Sequence, residues 1–325
     1  MVMRSQQSDT VGKVGGKVFW KIPILMTSFI LVLIGLLVFG IFMDTQLIFS
    51  PPKVDVVKEK VTKEEECSPK TRNASEIEFH SGHRFYSALK DIDTIPPPTF
   101  RGSHKVLCNE DGHAQAGFKY CLPISGRKDS PFCTAADRAD LLYIKSPKSI
   151  CYASVLHMLL VSVYEELQAT VNTPLILFGS LLGAVRNGSI IPYTEDTDIG
   201  FIDNLNSKEV LQQELWNKAY HMFFQGVWRI CAAPTHALAG RLYDPTQPLA
   251  RYIGVDLYRV HNLNNGRWDI EELKGRNGQL LPKDKVEPFS QVTINGMPFD
   301  TVRDAKFFLK TAYGRNLMTP RRRKT

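Results

Sequence analysis

Two aspartates separated by one residue are candidate metal ligands. Asp196 and Asp198 begin the stretch DTDIGFI, whose apolar residues predict a β-strand. Alternate side chains of a strand point to one face, so the two carboxylates would lie side by side, with Cα atoms about 6.5–7 Å apart. Carboxylates at that spacing can bind one divalent cation, Mg²⁺ or Mn²⁺, and leave positions open for a phosphate. The alternative is a solvated strand end, because Asp-x-Asp also occurs by chance.

A glycine-serine turn precedes the aspartates. Gly179 and Ser180 follow PLILF, which predicts a short buried strand, and they precede LLGAVRNG, which predicts a helix that ends at Gly188. Amides at a strand-to-helix turn can bind a phosphate at the positive end of the helix dipole. Arg186, about two turns along that helix, is available for the same anion. We therefore expect these residues to bind substrate.

A third carboxylate, Asp256, lies in the strongly apolar segment YIGVDLYRV. A charge within a buried strand is unfavourable unless it is paired or bound to a metal. A salt bridge with Arg251 or Arg259 is the alternative. We predict that Asp256 joins Asp196 and Asp198 in holding the cation, and that the three form the catalytic site.

The surrounding pattern predicts one mixed α+β domain over residues 152–320, with helices flanking a sheet. Helices are predicted at 152–169, at 181–188, at 207–224 with Ser207 as the N-cap, and at 302–314. Strands are predicted at 174–179, 197–202, 227–232, 238–243 and 251–260.

The amino-terminal part predicts a membrane anchor. Residues 22–43 hold no charged side chain. As a helix they would span about 33 Å, enough to cross a hydrocarbon layer of about 30 Å. Basic residues dominate residues 1–21, which predicts a cytoplasmic tail and a single-pass type II signal anchor. A cleaved signal peptide and a buried core helix are the alternatives. With an anchor, the folded part would lie in the lumen of the Golgi or the ER.

Composition also divides the rest of the chain. Residues 44–103 are charged and proline-rich, which predicts a stalk, and residues 104–151 contain four cysteines, which predicts a linker region. All six cysteines follow the predicted anchor, and an even number in an oxidising lumen favours disulfides. Zinc is the alternative, although the chain has no CxxC pair, and the disulfide pairing cannot be read from the sequence. Residues 321–325 predict a solvated basic tail.

Two sequons are present. Asn73 begins Asn-Ala-Ser in a polar segment, and we predict that it carries a glycan. Asn187 begins Asn-Gly-Ser near the end of the predicted helix that follows the glycine-serine turn. We predict that Asn187 is unmodified, because a glycan there would crowd the proposed phosphate site.

The distribution of charge excludes a nucleic-acid groove. The formal net charge is +7, of which residues 1–21 contribute +3 and residues 321–324 contribute +4. The remaining chain is therefore neutral, whereas a nucleic-acid groove needs its positive charge on the folded part. We expect no nucleic-acid partner.

The segment FGSLLGAVRNGSIIPYTEDTDIGF, residues 178–201, resembles the LicD, fukutin and fukutin-related family of the polymerase-beta-like nucleotidyltransferase superfamily. Members of that family typically show Leu-Leu-Gly-x-x-Arg and then Ile-Pro-Trp-Asp-x-Asp-x-Asp. The late segment FLKTAYGRNLMTP, residues 308–320, is similar to the family's closing Leu-x-x-x-Tyr-Gly-x-x-x-Met-x-Pro. The resemblance implies transfer of a phospho-alcohol, such as ribitol phosphate or phosphocholine, from a CDP donor to a glycan.

Residue by residue, the resemblance implies a metal-binding role for the three aspartates, a phosphate turn at Gly179 and Ser180, and the family's arginine at Arg186. The sequence departs from the family pattern at two positions, since Thr194 replaces the outermost acid and Tyr193 replaces the tryptophan. Tyr193 would stack on a base or sugar of the substrate, or else pack within the protein. Two alternatives remain open: a nucleotide-sugar glycosyltransferase, and a catalytically inactive relative that binds glycan or escorts a partner enzyme.

Overall fold

A computed structural model describes residues 31–39, 65–143, 147–249, 251–273 and 280–319. The chain divides into two compact units, residues 1–62 and residues 63–325. In the first unit the described residues 31–39 are helical. Most of the predicted anchor (22–43), the predicted tails (1–21 and 321–325) and residues 44–64 of the predicted stalk lie outside the described residues. Among the described residues, no helix is both long enough and apolar enough to cross a membrane.

The second unit is a mixed α+β fold with flanking helices, as predicted. Its strands are β1 (Pro174–Ile176), β2 (Asp196–Ile202), β3 (Tyr220–Gln225), β4 (Val227–Ala232), β5 (Gly254–Asn262), β6 (Arg267–Ile270), β7 (Leu281–Pro282), β8 (Ser290–Ile294) and β9 (Met297–Thr301). Its α-helices are α1 (Arg84–Lys90), α2 (His113–Ala116), α3 (Tyr152–Ala169), α4 (Phe178–Asn187), α5 (Lys208–Asn217), α6 (Ala239–Leu242), α7 (Lys283–Val286) and α8 (Ala305–Tyr313). Short 3₁₀ helices lie at Ala74–Glu76, Gly102–Cys108, Gly117–Tyr120, Arg138–Tyr143 and Pro147–Ser149.

The main sheet has the order β1-β2-β5-β4-β3, and β6 and β7 extend it from β5. β2 and β5 run parallel, while the other pairs are antiparallel. β8 and β9 form a separate antiparallel ribbon. The parallel pair at the centre carries the three aspartates that are predicted to form the site.

Helix α3 is the core of the domain, and its predicted bounds, 152–169, are confirmed. Nearly every side chain along it is buried, because the sheet packs on one side and the 3₁₀ helix Arg138–Tyr143 and helix α5 pack elsewhere. The predictions for helix α4, with Gly188 in a left-handed conformation at its end, and for helix α8 are also confirmed. The predicted strands at 174–179, 197–202, 227–232 and 251–260 are present, with ends that differ by a few residues.

The predicted helix 207–224 is wrong in its second half. Helix α5 ends at Asn217, and residues 220–225 form strand β3 instead. Lys218 turns inward to pair with Glu166 of helix α3, and Ala219 takes a positive φ of 58°, which breaks the helix. At the other end Ser207 is at the N-cap position, but its side chain makes no capping hydrogen bond.

The predicted strand 238–243 is a short helix, α6. Leu238, Ala239 and Leu242 are buried, which is the spacing of one helical face. A Cβ atom on Gly240 would lie 1.9 Å from the carbonyl oxygen of Pro96, so the chain approaches this turn closely. Such a long-range approach leaves no local signal in the sequence.

Part of the predicted stalk packs on the domain. Within residues 65–103, the side chains of Phe85, Tyr86, Leu89 and Phe100 belong to the main hydrophobic core. The three prolines of residues 94–100, TIPPPTF, do not prevent burial of the phenylalanine that follows them. The described part of the predicted stalk, residues 65–103, is therefore part of the compact unit.

The cysteines form disulfides, as predicted in preference to zinc. The pairs are Cys67–Cys108, Cys121–Cys231 and Cys133–Cys151. The second pair joins the predicted linker region, 104–151, to strand β4, and the first reaches back into the predicted stalk. Both segments are thus fixed covalently to the fold that carries the site.

A buried ion pair ties helix α3 to the end of helix α5. The Lys218 ammonium contacts Glu166 Oε1, and both side chains are almost fully buried. Glu166 Oε2 also accepts a hydrogen bond of 2.9 Å from His80 Nε2. We expect Lys218→Met to lower the free energy of unfolding by about 3–5 kcal/mol, because it leaves the Glu166 charge buried with a weaker partner.

Chemical denaturation of the wild type and of Lys218→Met measures this loss. The matched control is Lys208→Met, which removes an exposed lysine paired with Glu209 and should cost less than about 1 kcal/mol. Adding Glu166→Gln to Lys218→Met should restore part of the loss, because the unpaired charge is then gone. Equal losses for the two lysine variants would contradict this account.

Candidate functional site

The three predicted acids lie on one face of the central sheet. In the register of the parallel pair, Asp198 is opposite Asp256, and Asp196 is opposite Gly254. Because partners in register point to the same face, the Asp198 and Asp256 carboxylates are neighbours, and Asp196 lies one pleat away. Asp198 and Asp256 are buried, while Asp196 is half-buried.

The pKa of Asp198 follows from this proximity. Burial, together with the charges of Asp196 and Asp256, raises the pKa of Asp198 to about 8. Two amide hydrogen bonds oppose this shift without cancelling it. Asp198 is therefore largely protonated at neutral pH unless a positive charge joins the cluster.

Those hydrogen bonds come from the glycine-serine turn. The Gly179 amide donates to Asp198 Oδ2 at 2.7 Å, and the Ser180 amide donates to the same oxygen at 3.4 Å. Ser180 Oγ in turn accepts from the Asp198 amide at 2.7 Å. Gly179 and Ser180 lie in the first turn of helix α4, which follows strand β1 as predicted, and their amides bind Asp198. In the structure these amides position the Asp198 carboxylate. A substrate phosphate bound here would have to share the same amides with Asp198.

Asp256 has three polar neighbours that sequence reasoning missed. Its carboxylate accepts hydrogen bonds from the hydroxyls of Tyr252, at 2.9 Å, and Tyr258, at 3.4 Å. Arg229 of strand β4 is its register partner, with Nε 3.7 Å from Asp256 Oδ1. Burial raises the pKa of Asp256, and the Arg229 charge opposes that rise.

The tyrosines had a signal in the sequence, because Tyr252, Asp256 and Tyr258 share one face of an alternating strand. Arg229 had no such signal in the sequence, because its pairing with Asp256 depends on which strand lies beside β5. Arg251 and Arg259, the neighbours considered from sequence, do not contact Asp256 among the described residues. Arg251 instead pairs with Glu195, which Lys128 also contacts.

The two departures from the family pattern lie in the turn just before strand β2. Thr194 Oγ1 donates a short hydrogen bond to Asp196 Oδ1, so the residue in place of the outermost acid orients the first aspartate. Tyr193 is 56% exposed, which excludes packing within the core and leaves its ring open to solvent. Stacking of Tyr193 on a substrate remains a prediction.

Arg186 does not join the acids. Its guanidinium donates to the carbonyl oxygens of Leu317, with Nε at 2.7 Å, and Thr319. It lies in the last turn of helix α4, whereas Gly179 lies in the first, about 10 Å away along the axis. Arg186 therefore ties helix α4 to the closing motif, and its contact with a substrate phosphate stays a prediction.

Both sequons are exposed at their asparagines. Asn73 caps a 3₁₀ helix, since its Oδ1 accepts from the Ser75 amide at 3.1 Å. Asn187 is the last residue of helix α4, at the opposite end from Gly179. A glycan on Asn187 would therefore not crowd the turn, although its absence stays a prediction.

No three histidine, cysteine, aspartate or glutamate side chains in the described ranges are placed to hold a metal ion. Each acid is instead hydrogen-bonded to protein: Asp196 to Thr194, Asp198 to the turn, and Asp256 to the tyrosines. The chemistry of the donor set nevertheless fits a hard divalent cation, because carboxylate oxygens are the ligands such cations prefer. Burial first, and then the charges of Asp196 and Asp256, raise the pKa of Asp198. A cation among them would relieve the repulsion between these charges.

The parallel aspartate strands and the strand-turn-helix before them define a nucleotidyltransferase-like domain. Residues 173–301 match the family profile described as LicD/FKTN/FKRP, nucleotidyltransferase domain, which supports assigning this domain to that family. The matched range includes the turn, all three acids and Arg229. A comparison with curated proteins finds no match. The matched family is transferase-like in class.

Proposed function

We propose that the protein transfers a phospho-alcohol, of the ribitol-phosphate or phosphocholine type, from a CDP donor to a glycan in a metal-dependent reaction. The observation that supports this most is the side-by-side placement of Asp198 and Asp256 on parallel strands, within the family-matched range. A family of this class acts on glycans through phosphotransfer, and buried carboxylates facing a helix amino terminus suit a diphosphate–cation substrate.

Asp196, Asp198 and Asp256 are the residues that would hold the cation. When bound, Mg²⁺ or Mn²⁺ would neutralise charge on the donor diphosphate and on the departing CMP. The chain's own contribution is to fix these carboxylates through Thr194 and Gly179 and to keep the site partly dry.

In the transfer step, an acceptor hydroxyl oxygen forms a bond to the distal phosphorus of the donor. The bond from that phosphorus to the bridging oxygen breaks, and its electron pair leaves with CMP. The hydroxyl proton passes to Asp256, whose raised pKa suits a proton acceptor. Arg229, with Nε 3.7 Å from Asp256 Oδ1, would supply a fixed positive charge beside the carboxylate that takes the proton.

Asp256→Asn tests the proton-acceptor role. We expect kcat to fall about 10²–10⁴-fold, because an amide cannot take the proton. Asp203→Asn, which changes an exposed aspartate that pairs with His261, is the matched control and should keep full turnover. Full turnover by Asp256→Asn would remove Asp256 from this role.

A donor panel tests the reaction class. Purified protein is titrated calorimetrically with CDP, CDP-ribitol, CDP-choline and a UDP-sugar, each with Mn²⁺ and with EDTA, and CMP release is followed with a glycopeptide mixture as acceptor. We expect cation-dependent binding of the CDP compounds. Preferred turnover of the UDP-sugar would favour the glycosyltransferase, and no nucleotide binding would favour an inactive glycan-binding or escort relative.

We also propose that the domain works in the lumen of the Golgi or ER, held by a single-pass anchor at residues 22–43. The three disulfides support an oxidising compartment. Intact microsomes should protect the domain from added protease, and digestion without detergent would contradict this placement.

A further inference from the structure

A cavity lies on the compact unit at the junction of helix α5 with the segment around Asn73. Its volume is about 330 Å³, at the small end of the range for ligand sites. Its lining consists mainly of planar polar side chains together with one indole ring: Arg72, Asn73, Glu76, Ile77, Gln213, Trp216 and Asn217. None of these residues belongs to the acidic site.

The lining has the chemistry of a sugar site. Amide, carboxylate and guanidinium groups supply hydrogen-bond donors and acceptors in fixed planes, and an indole supplies an apolar surface with a polar edge. Gln213 Nε2 donates to Asn217 Oδ1 at 2.9 Å, which orders the two amides along the rim. Trp216 is held in place by stacking on His113, with ring centroids 3.9 Å apart.

One donor of the lining has no partner. Arg72 Nε is buried and makes no hydrogen bond, while Arg72 Nη2 is used by Glu110 at 3.0 Å. A buried donor without an acceptor costs free energy unless something else supplies the acceptor. A ligand rich in hydroxyl and amide oxygens would do so.

The residue that should carry a glycan is itself part of this lining. Asn73 begins the sequon Asn-Ala-Ser, and its side chain is fixed, because Oδ1 accepts from the Ser75 amide and Nδ2 donates to Glu76 Oε1 at 3.3 Å. A sugar on Nδ2 replaces one of its two N–H hydrogens and leaves the other for Glu76. The first sugar therefore begins at the edge of the cavity.

We propose that this cavity binds the first N-acetylglucosamine of the protein's own N-linked glycan at Asn73. Attachment forms a bond from Asn73 Nδ2 to the anomeric carbon of the sugar. The bond from that carbon to a lipid-linked diphosphate breaks, and the amide proton leaves with the diphosphate. The bound sugar then rests against Trp216 and the amides of helix α5, and it joins the segment around Asn73 to that helix.

The experiment measures how fast the glycan is removed from the folded protein. The full chain is produced in cells that attach N-glycans, purified in detergent, and treated with an amidase that cleaves between Asn73 and the first sugar. Gln213→Ala removes a rim amide, and we expect release from it at least about tenfold faster than from the wild type. Gln212→Ala, the neighbouring residue outside the cavity, should match the wild type. After denaturation all three proteins should release the glycan at one rate.

Asn217→Ala provides a second variant with an exposed side chain, so the test does not depend on truncating Trp216. Faster release from both rim variants supports the proposal. Equal native rates for wild type and both rim variants would overturn it, as would a denatured peptide map without a glycan on Asn73. Neither outcome depends on transferase activity, so failure here leaves the proposed reaction unaffected.

Discussion

At pH 8 and without divalent cations, Asp198→Asn is expected to be more stable than the wild type and to have lost transferase activity. In the wild type the pKa of Asp198 is raised to about 8, whereas an unfolded aspartate has a pKa near 4. Between these values the folded protein holds a proton that the unfolded chain releases. The stability linked to this proton is complete below about pH 4 and is lost as the pH rises through 8. Asparagine keeps the oxygen that accepts from the Gly179 amide and does not titrate.

Thermal unfolding from pH 5 to pH 9 in EDTA measures this difference. We expect the Tm of Asp198→Asn to exceed that of the wild type by at least about 2–4 °C at pH 8, which corresponds to about 1 kcal/mol, and the gap to shrink towards pH 5. Mn²⁺ should raise the Tm of the wild type at pH 8 and leave that of Asp198→Asn nearly unchanged. Asp203→Asn, the exposed control, should follow the wild type in both respects. A pH-independent gap would show that Asp198 is not the raised group.

The buried carboxylates are expected to lower stability and to be required for activity, and this conflict explains which site residues the sequence could predict. Each acid could be found locally, because a charge at alternate positions of an apolar strand conflicts with burial, and such conflicts collect at functional sites. The alternation of a strand was enough to predict that Asp196 and Asp198 share a face. The apolar neighbours of Asp256 were enough to identify it as a candidate. That all three share a face required one further fact, the parallel pairing of β2 with β5.

What the sequence could not predict depends on contacts distant along the chain. Arg229 reaches Asp256 only because β4 lies beside β5. Arg186 was expected to be available to the same anion as the glycine-serine turn, and the structure shows it bound to the carbonyl oxygen of Leu317, 131 residues later. Residues 220–224 have an apolar run that suits a helix or a strand, and the inward turn of Lys218 towards Glu166 decides between them. The disulfide partners are also far apart along the chain, and only the fold brings their side chains close enough to form the bond.

The glycine-serine turn is the place where sequence and structure agree on the residues and differ on their contacts. Sequence reasoning assigned the amides of Gly179 and Ser180 to a substrate phosphate. In the structure they bind a carboxylate that is itself a candidate metal ligand. Because the same donors stabilise the ionised form of Asp198, the turn opposes the repulsion within the acid cluster. The helix dipole thereby acts on Asp198, the candidate metal ligand.

Gly179→Ala is expected to lower kcat by at least about a hundredfold with little change in Tm. A Cβ atom on residue 179 would lie 2.9 Å from Asp198 Oδ2, closer than such contacts allow. The carboxylate must then move, and it loses the 2.7 Å hydrogen bond from the Gly179 amide. A displacement of about 1 Å at a catalytic group is enough for a loss of that size. The helix itself should persist, because alanine favours helical conformation more than glycine does.

Gly82→Ala is the matched control, since a Cβ atom there meets no other atom within 4 Å. Steady-state kinetics with the CDP donor, together with Mn²⁺ titration by calorimetry, separate the two ways in which Gly179→Ala can act. If the displaced Asp198 carboxylate binds the cation less well, the Mn²⁺ affinity falls together with kcat. If the methyl group only blocks a phosphate from the turn, the Mn²⁺ affinity is unchanged and the donor KM rises while kcat is kept. The second result would restore the turn to the phosphate role and would contradict the positioning role that its hydrogen bonds to Asp198 indicate.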